Sequence, residues 1–211
     1  MNDTFADKAK QWDSNPQVRA LADRFSAELD NVIPDHRGLA IVELGCGTGL
    51  VGLRYAARAA SLDLIDTSTA MLDVLRSKEE VQSDNVTVHE GTLATLIGQA
   101  LEPESVDWVI SNMALHHVED LPALIEALYR LVKTGGRVTI GELETEPGTF
   151  HAPETVPHNG FAPDELSRLF ESGGFTVNET HTFLTVPRKD NDGMTRTYST
   201  FLLDATRPSA E

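Results

Sequence analysis

The chain carries a single cysteine, Cys46, in 211 residues. One thiol cannot close an internal disulfide, so nothing calls for an oxidising compartment, and no multi-cysteine metal site can be built. Basic residues are scarce as well: 17 Lys and Arg stand against 33 Asp and Glu, a net charge of −16. A surface of that sign repels phosphate backbones and anionic lipids, which argues against nucleic acid as the main partner. No stretch approaches the roughly 18 apolar residues that a membrane span needs. The opening segment, Met1 to Asp13, has no apolar core of the signal-peptide kind. The expectation is a cytoplasmic protein with no membrane association. What is present in quantity is ordinary globular material, 40% hydrophobic and 24% charged. At about 150 residues per domain this length predicts one domain, residues 1–211, with a core that needs no staple.

The first 36 residues read as a helical cap. Asn15 and Pro16 supply an N-cap and a first-turn proline, and Val18, Leu21, Phe25, Leu29 and Val32 share one helical face. From Gly38 onward, apolar strand-like runs alternate with helical patterns. Strands are expected over 39–44, 61–66, 85–90, 106–111 and 137–143, and helices over 50–60, 69–81 and 121–132. Asp120 is the expected N-cap of the last helix, and Gly135-Gly136 its stop. Such alternation makes parallel βαβ units with helices on both sheet faces. Residues 144–162, rich in Pro, Gly, Thr and His, read as a lid-like loop, followed by a short helix over 163–172. Two β-like runs, 175–186 and 197–206, are joined only by the polar segment 187–193, which predicts an antiparallel hairpin. The fold class is therefore α/β, a doubly wound, mostly parallel sheet that ends in a hairpin.

The strongest local signal is Val42-Glu43-Leu44-Gly45-Cys46-Gly47-Thr48-Gly49-Leu50, at the end of the first buried strand. Glycines there permit a tight turn and close backbone approach to a ligand. Gly47 to Gly52 spells the dinucleotide pattern G-x-G-x-x-G, yet it starts two residues after the strand turns, and from Gly45 the sixth position is Leu50. Glu43 also disfavours a pyrophosphate. Its carboxylate suits a ligand with a cationic amine, or else caps the loop by accepting backbone N–H groups. Asp66, at the end of the second strand, can accept both hydroxyls of a ribose, or simply starts the next helix.

These residues resemble the class I S-adenosylmethionine-dependent methyltransferases. The resemblance rests on E-x-G-x-G-x-G at 43–49, on Leu64 to Leu72, on Val106 to Val118 and on Leu131 to Val138, and covers roughly residues 38–143. It implies a seven-stranded Rossmann-like sheet and S-adenosylmethionine as cofactor. It also implies that Gly45, Gly47 and Gly49 pass under the methionyl part, that Glu43 serves the amino group, and that Asp66 holds the ribose. Met71 would pack on the adenine, and Asn112 would offer its backbone. The family's usual Asp after the third strand is absent: Glu90-Gly91-Thr92-Leu93 stands there, so adenine recognition falls to backbone groups or to Thr92 Oγ1.

Methyl transfer from a sulfonium needs alignment and a dry site more than a fixed triad. His117, beyond the fourth strand, is the candidate catalytic base or orienting group. Trp12 and His158 are candidates for the acceptor side. The spacing of His116, His151 and His158 suggests no metal site. The sequence lacks an Asn-Pro-Pro-Tyr type segment, so the expected acceptor is a small molecule. Two other readings stay open: an NAD(P)-dependent oxidoreductase, and a non-catalytic S-adenosylmethionine-binding module.

Overall fold

The computed structural model describes residues 5–189 and 193–209. Seven strands form one sheet in the order β3-β2-β1-β4-β5-β7-β6. In chain order they are β1 (Ala40–Leu44), β2 (Ser61–Asp66), β3 (Val86–Glu90), β4 (Val106–Asn112), β5 (Val132–Leu143), β6 (Thr176–Lys189) and β7 (Thr195–Thr206). The first five pair in parallel, and β7 runs antiparallel to both β5 and β6. The expected hairpin is formed, although residues 190–192 of its connection lie outside the described residues.

The central strands are apolar on both faces because helices cover both. Val42, Val109, Val138 and Ile140 face a core that includes Leu124, Leu128 and Leu131 of α5 (Leu121–Leu131) and Phe170 of α6 (Pro163–Ser172). Ile41, Leu62, Trp108 and Ile110 face the other, against Phe25 and Leu29 of α2 (Pro16–Val32) and Leu72 and Leu75 of α3 (Thr69–Arg76). Carboxylates are buried in the sheet itself: Glu43 of β1, Glu142 of β5 and Asp204 of β7. Asp204 of β7 is fully covered and accepts hydrogen bonds from Arg137, Thr139 Oγ1 and Asn178. A buried carboxylate with that many donors is tolerated where an unpaired one is not.

Four helix expectations are corrected. The first 36 residues break into α1 (Ala9–Trp12) and α2, with Asn15 Oδ1 accepting from Gln17 N at 2.9 Å. The helix expected over 69–81 stops at Arg76, where Ser77 Oγ turns back onto the Val74 carbonyl. The helix over 121–132 ends at Leu131, and Gly135-Gly136 lie inside β5 rather than after a helix. The fourth matters most. No α-helix follows the glycine loop; a single 3₁₀ turn, Gly52–Tyr55, stands where residues 50–60 were expected to be helical. Both partners of the first helical hydrogen bond are diverted. Gly52 N donates to Glu43 Oε2 at 2.9 Å, and the Thr48 carbonyl accepts from Lys78 Nζ at 2.6 Å.

Candidate active site

The site lies at the carboxyl edge of β1, β2 and β4, where crevices open in doubly wound sheets. Gly45 N and Cys46 N both donate to the Ile65 carbonyl, so the loop after β1 leans on β2. Gly45, Gly47 and Gly49 all have positive φ, at +70°, +53° and +80°. The three do different things. A Cβ on Gly45 would stand 2.3 Å from Ala114 Cβ, and one on Gly49 2.6 Å from Leu75 Cδ1. A Cβ on Gly47 would meet nothing within 4 Å. Gly47 is therefore the open floor of the loop, and its neighbours are the packed walls.

Asp66 holds that floor in place. Its Oδ2 accepts from Gly47 N at 2.7 Å and its Oδ1 from Ser68 N at 2.8 Å. Glu43 lies underneath. It is 3% exposed, and burial pushes its carboxyl up from the usual 4.5 to about 8. Its bond to Gly52 N is the loop-capping arrangement, one of the two roles open to it in the sequence. Cys46 is buried, and burial raises its thiol well above the ordinary range, so it packs rather than reacts.

The burial of Glu43 predicts a pH signature. The folded chain holds this proton far more tightly than the unfolded chain does. Glu43 therefore contributes fully below about pH 4.5, and its contribution falls as pH rises to about 8, where it levels off. The slope is at most about 1.4 kcal/mol per pH unit. Glu43→Gln keeps an oxygen for Gly52 and cannot ionise. Denaturant unfolding at pH 5, 6.5 and 8 should show the Gln variant gaining on the wild type with each step. Parallel curves would mean that Glu43 is already charged in the folded chain.

The N-terminal segment is latched onto the loop. Asp13 takes the Thr48 hydroxyl on Oδ1 and Lys78 Nζ on Oδ2 at 2.7 Å. Phe5 stands edge-on to Trp12, centroids 5.8 Å apart, and to His117 at 5.4 Å. Lys8 Nζ meets Glu154 at 2.6 Å, which ties α1 to the 144–162 loop. That loop is closed at its base by the Glu144–Phe161 bridge and by Glu146 N donating to the Asn159 carbonyl.

The remaining expected site residues distribute as follows. Met71 is 2% exposed at the start of α3. Thr92 caps α4 (Leu93–Leu96), a helix not foreseen in the sequence, and it is exposed. The Leu93 side chain is buried in the core, so what this residue can offer is its first-turn N–H. Asn112 ends β4 with its Oδ1 buried and unpartnered beside Gly141. His158 binds the Val118 carbonyl through Nε2 at 2.9 Å and packs on Phe161, so it anchors the loop.

His117 does not stand alone. His116 lies 4.3 Å away and His151 5.3 Å away, ring centre to ring centre. Burial, then the neighbouring His116, lower His117 from 6.5 to about 4, and burial does the same to His151. Both imidazoles are thus neutral at physiological pH. Sequence reasoning placed His151 only generally, on the loop expected at the acceptor side, and it did not single out Glu142 or Asp13. His151 is 34 positions from His117, and only the closed loop brings them together.

Strand order, a carboxylate-braced glycine loop and a second-strand Asp together define an α/β nucleoside-binding fold. The missing helix after the loop separates it from pyrophosphate binders, which place that group on a helix N-terminus. Residues 41–136 match the methyltransferase-domain family. The chain is 28% identical over 185 residues to the ubiquinone biosynthesis O-methyltransferase of Pseudomonas fluorescens, covering 80% of this chain and 78% of that one. It is 28% identical over 156 residues to an uncharacterized methyltransferase of Schizosaccharomyces pombe, of which it spans about half, 55%. Phosphoethanolamine N-methyltransferase 2 of Haemonchus contortus, solved with phosphomonomethylethanolamine and S-adenosylhomocysteine, superposes with a TM-score of 0.72 at 17% identity, covering 99% of this chain and 59% of that one. The chain belongs to the class I S-adenosylmethionine-dependent methyltransferases. Among the described residues no helix is long and apolar enough to cross a membrane.

Proposed function

We propose that this protein transfers the methyl group of S-adenosylmethionine to a small-molecule acceptor. The observation that carries the reading is the pairing of Asp66 with Gly47. The carboxylate fixes the one loop glycine that opens onto free space, at the end of the second strand, where a carboxylate can accept ribose hydroxyls. Bound S-adenosylmethionine supplies a methyl group already activated on a sulfonium. The chain then has to align and dry the site. In this reading Gly45, Gly47 and Gly49 run beneath the methionyl part, Glu43 braces them from below, and Met71, Thr92 and the Leu93 N–H attend the adenine. Asn112 contributes backbone at the end of β4. Trp12, His117 and the loop that carries His158 surround the acceptor. Ubiquinone biosynthesis O-methyltransferases among the relatives support a small acceptor.

Calorimetry with S-adenosylhomocysteine tests the cofactor half, and binding in the micromolar range, about −8 kcal/mol, is expected. A nicotinamide dinucleotide that raised the melting temperature while S-adenosylhomocysteine did not would replace this reading with the oxidoreductase one. A metabolite screen with labelled methyl donor tests the acceptor half. His117→Ala should lower turnover far more than cofactor affinity; equal losses in both would remove His117 from the acceptor side.

A further inference from the structure

The acceptor end of the site contains a cluster that methyl transfer by itself does not call for. His116, His117 and His151 each offer a ring nitrogen, and these atoms lie within 4.8 Å of one another. His116 is 1% exposed, and its partner Glu142 is fully buried. Glu142 accepts from His116 Nδ1 at 2.8 Å, from the His116 backbone N–H at 3.2 Å and from Leu143 N at 2.9 Å. A carboxylate in that position keeps the hydrogen on Nδ1 and leaves Nε2 as the ring atom available as a ligand. That Nε2 is buried and has no partner, and neither has the buried Nε2 of His151. Two unsatisfied imidazole nitrogens beside a third imidazole are costly in an apolar setting unless something binds them.

We propose that His116, His117 and His151 are the ligands of a divalent transition-metal ion of the zinc type. Imidazole suits such ions, and three histidines with one open position is a donor set found in reactive rather than closed structural sites. Glu142 takes the orienting role that a carboxylate has behind a metal-bound histidine. Nitrogens of a tetrahedral site with bonds of about 2.0–2.1 Å stand about 3.3 Å apart, so the cluster must tighten on binding. His116 and His117 are fixed by the turn after β4, whereas His151 sits on the 144–162 loop and can supply that movement. Phe5 packs 5.4 Å from the His117 ring and Phe150 4.9 Å from that of His151, so the cluster borders the region where the acceptor is placed above. That the ion would hold an oxygen of the acceptor rests on the methyltransferase reading; that the ion binds does not.

The test uses the full chain, stripped with chelator and titrated with Zn2+ or Co2+ without cofactor. One equivalent per chain should bind at about micromolar Kd or tighter, and Co2+ should give the visible absorption of a low-coordinate nitrogen site. His151→Ala, on the loop, should fold normally and lose the absorption. Glu142→Gln should weaken binding about 10- to 100-fold. His181→Ala, on the exposed face of β6, should change nothing. Failure of the wild type to bind at 100-fold excess of metal, or binding that His151→Ala leaves intact, would overturn the proposal. S-adenosylhomocysteine affinity, read on the same sample, reports on the methyltransferase reading separately.

Discussion

Asp66→Ala is expected to weaken S-adenosylhomocysteine binding by about 100-fold or more while the chain stays folded. Two charge-assisted hydrogen bonds to ribose hydroxyls at about 1.5–3 kcal/mol each account for that loss. The structure adds a second route to the same result. The carboxylate also holds Gly47 N and Ser68 N, so its removal releases the floor of the loop. Asp66 is only half-buried, and water can take over the freed N–H groups, which keeps the cost to folding small. Asp66→Asn preserves the shape but replaces one acceptor oxygen with an NH2 donor that faces a backbone N–H, and it should bind nearly as poorly as the alanine. Calorimetry together with thermal unfolding separates the two losses. Wild-type affinity in Asp66→Ala would reduce this residue to a helix-start carboxylate.

A second large effect should come from a pair of substitutions two residues apart. Gly45→Ala places a methyl group 2.3 Å from Ala114 Cβ, at a φ of +70°. Left-handed backbone costs a non-glycine residue about 1–2 kcal/mol, and overpacking a tight contact adds about 1–3 kcal/mol. At about 2–4 °C per kcal/mol for a chain of this size, the melting temperature should fall by roughly 5–15 °C. Gly47→Ala meets open space. It pays only the backbone strain and should melt within a few degrees of wild type, yet its methyl group stands where the cofactor is proposed to lie. The pair should therefore split, with stability lost at 45 and binding lost at 47. If both variants lost stability alone, the loop would be a structural turn with no ligand over it.

Much of this architecture could be read from residue patterns. The bounds of β2 and α6 coincide with their sequence signals, because a short apolar run ending in Asp66 and a Pro163 start with Gly173-Gly174 after it are strong local marks. The hairpin followed from the absence of a crossover. What failed was decided at a distance. Residues 50–60 have an acceptable helical pattern, but Glu43 and Lys78 take the hydrogen-bonding groups that the first turn needs. The break after Trp12 has a local signal in Asn15 and Pro16, yet the reason for it, Asp13 reaching Thr48 and Lys78, is tertiary. The glycine loop and Asp66 were legible as a candidate site because their chemistry sits within a short stretch of chain. The histidine cluster was not, since its third member arrives through a loop closed by Glu144 and Phe161.

The place of β7 in the sheet bears on how the chain is made. This strand enters between β5 and β6, so β5 has a partner on one side only until residues 195–206 have been synthesised. At about 5–20 residues per second, the sixty or so residues between β5 and the end of β7 take roughly 3–13 s to emerge from the ribosome. Throughout that interval the nascent sheet presents an open edge, and Arg137 waits for Asp204. An unpaired edge of that length invites strands from other chains. Phe201, Leu202 and Leu203, none of them exposed in the finished fold, close the edge last. The strand that completes the sheet is therefore the last one synthesised, far in sequence from the glycine loop where the chemistry is placed.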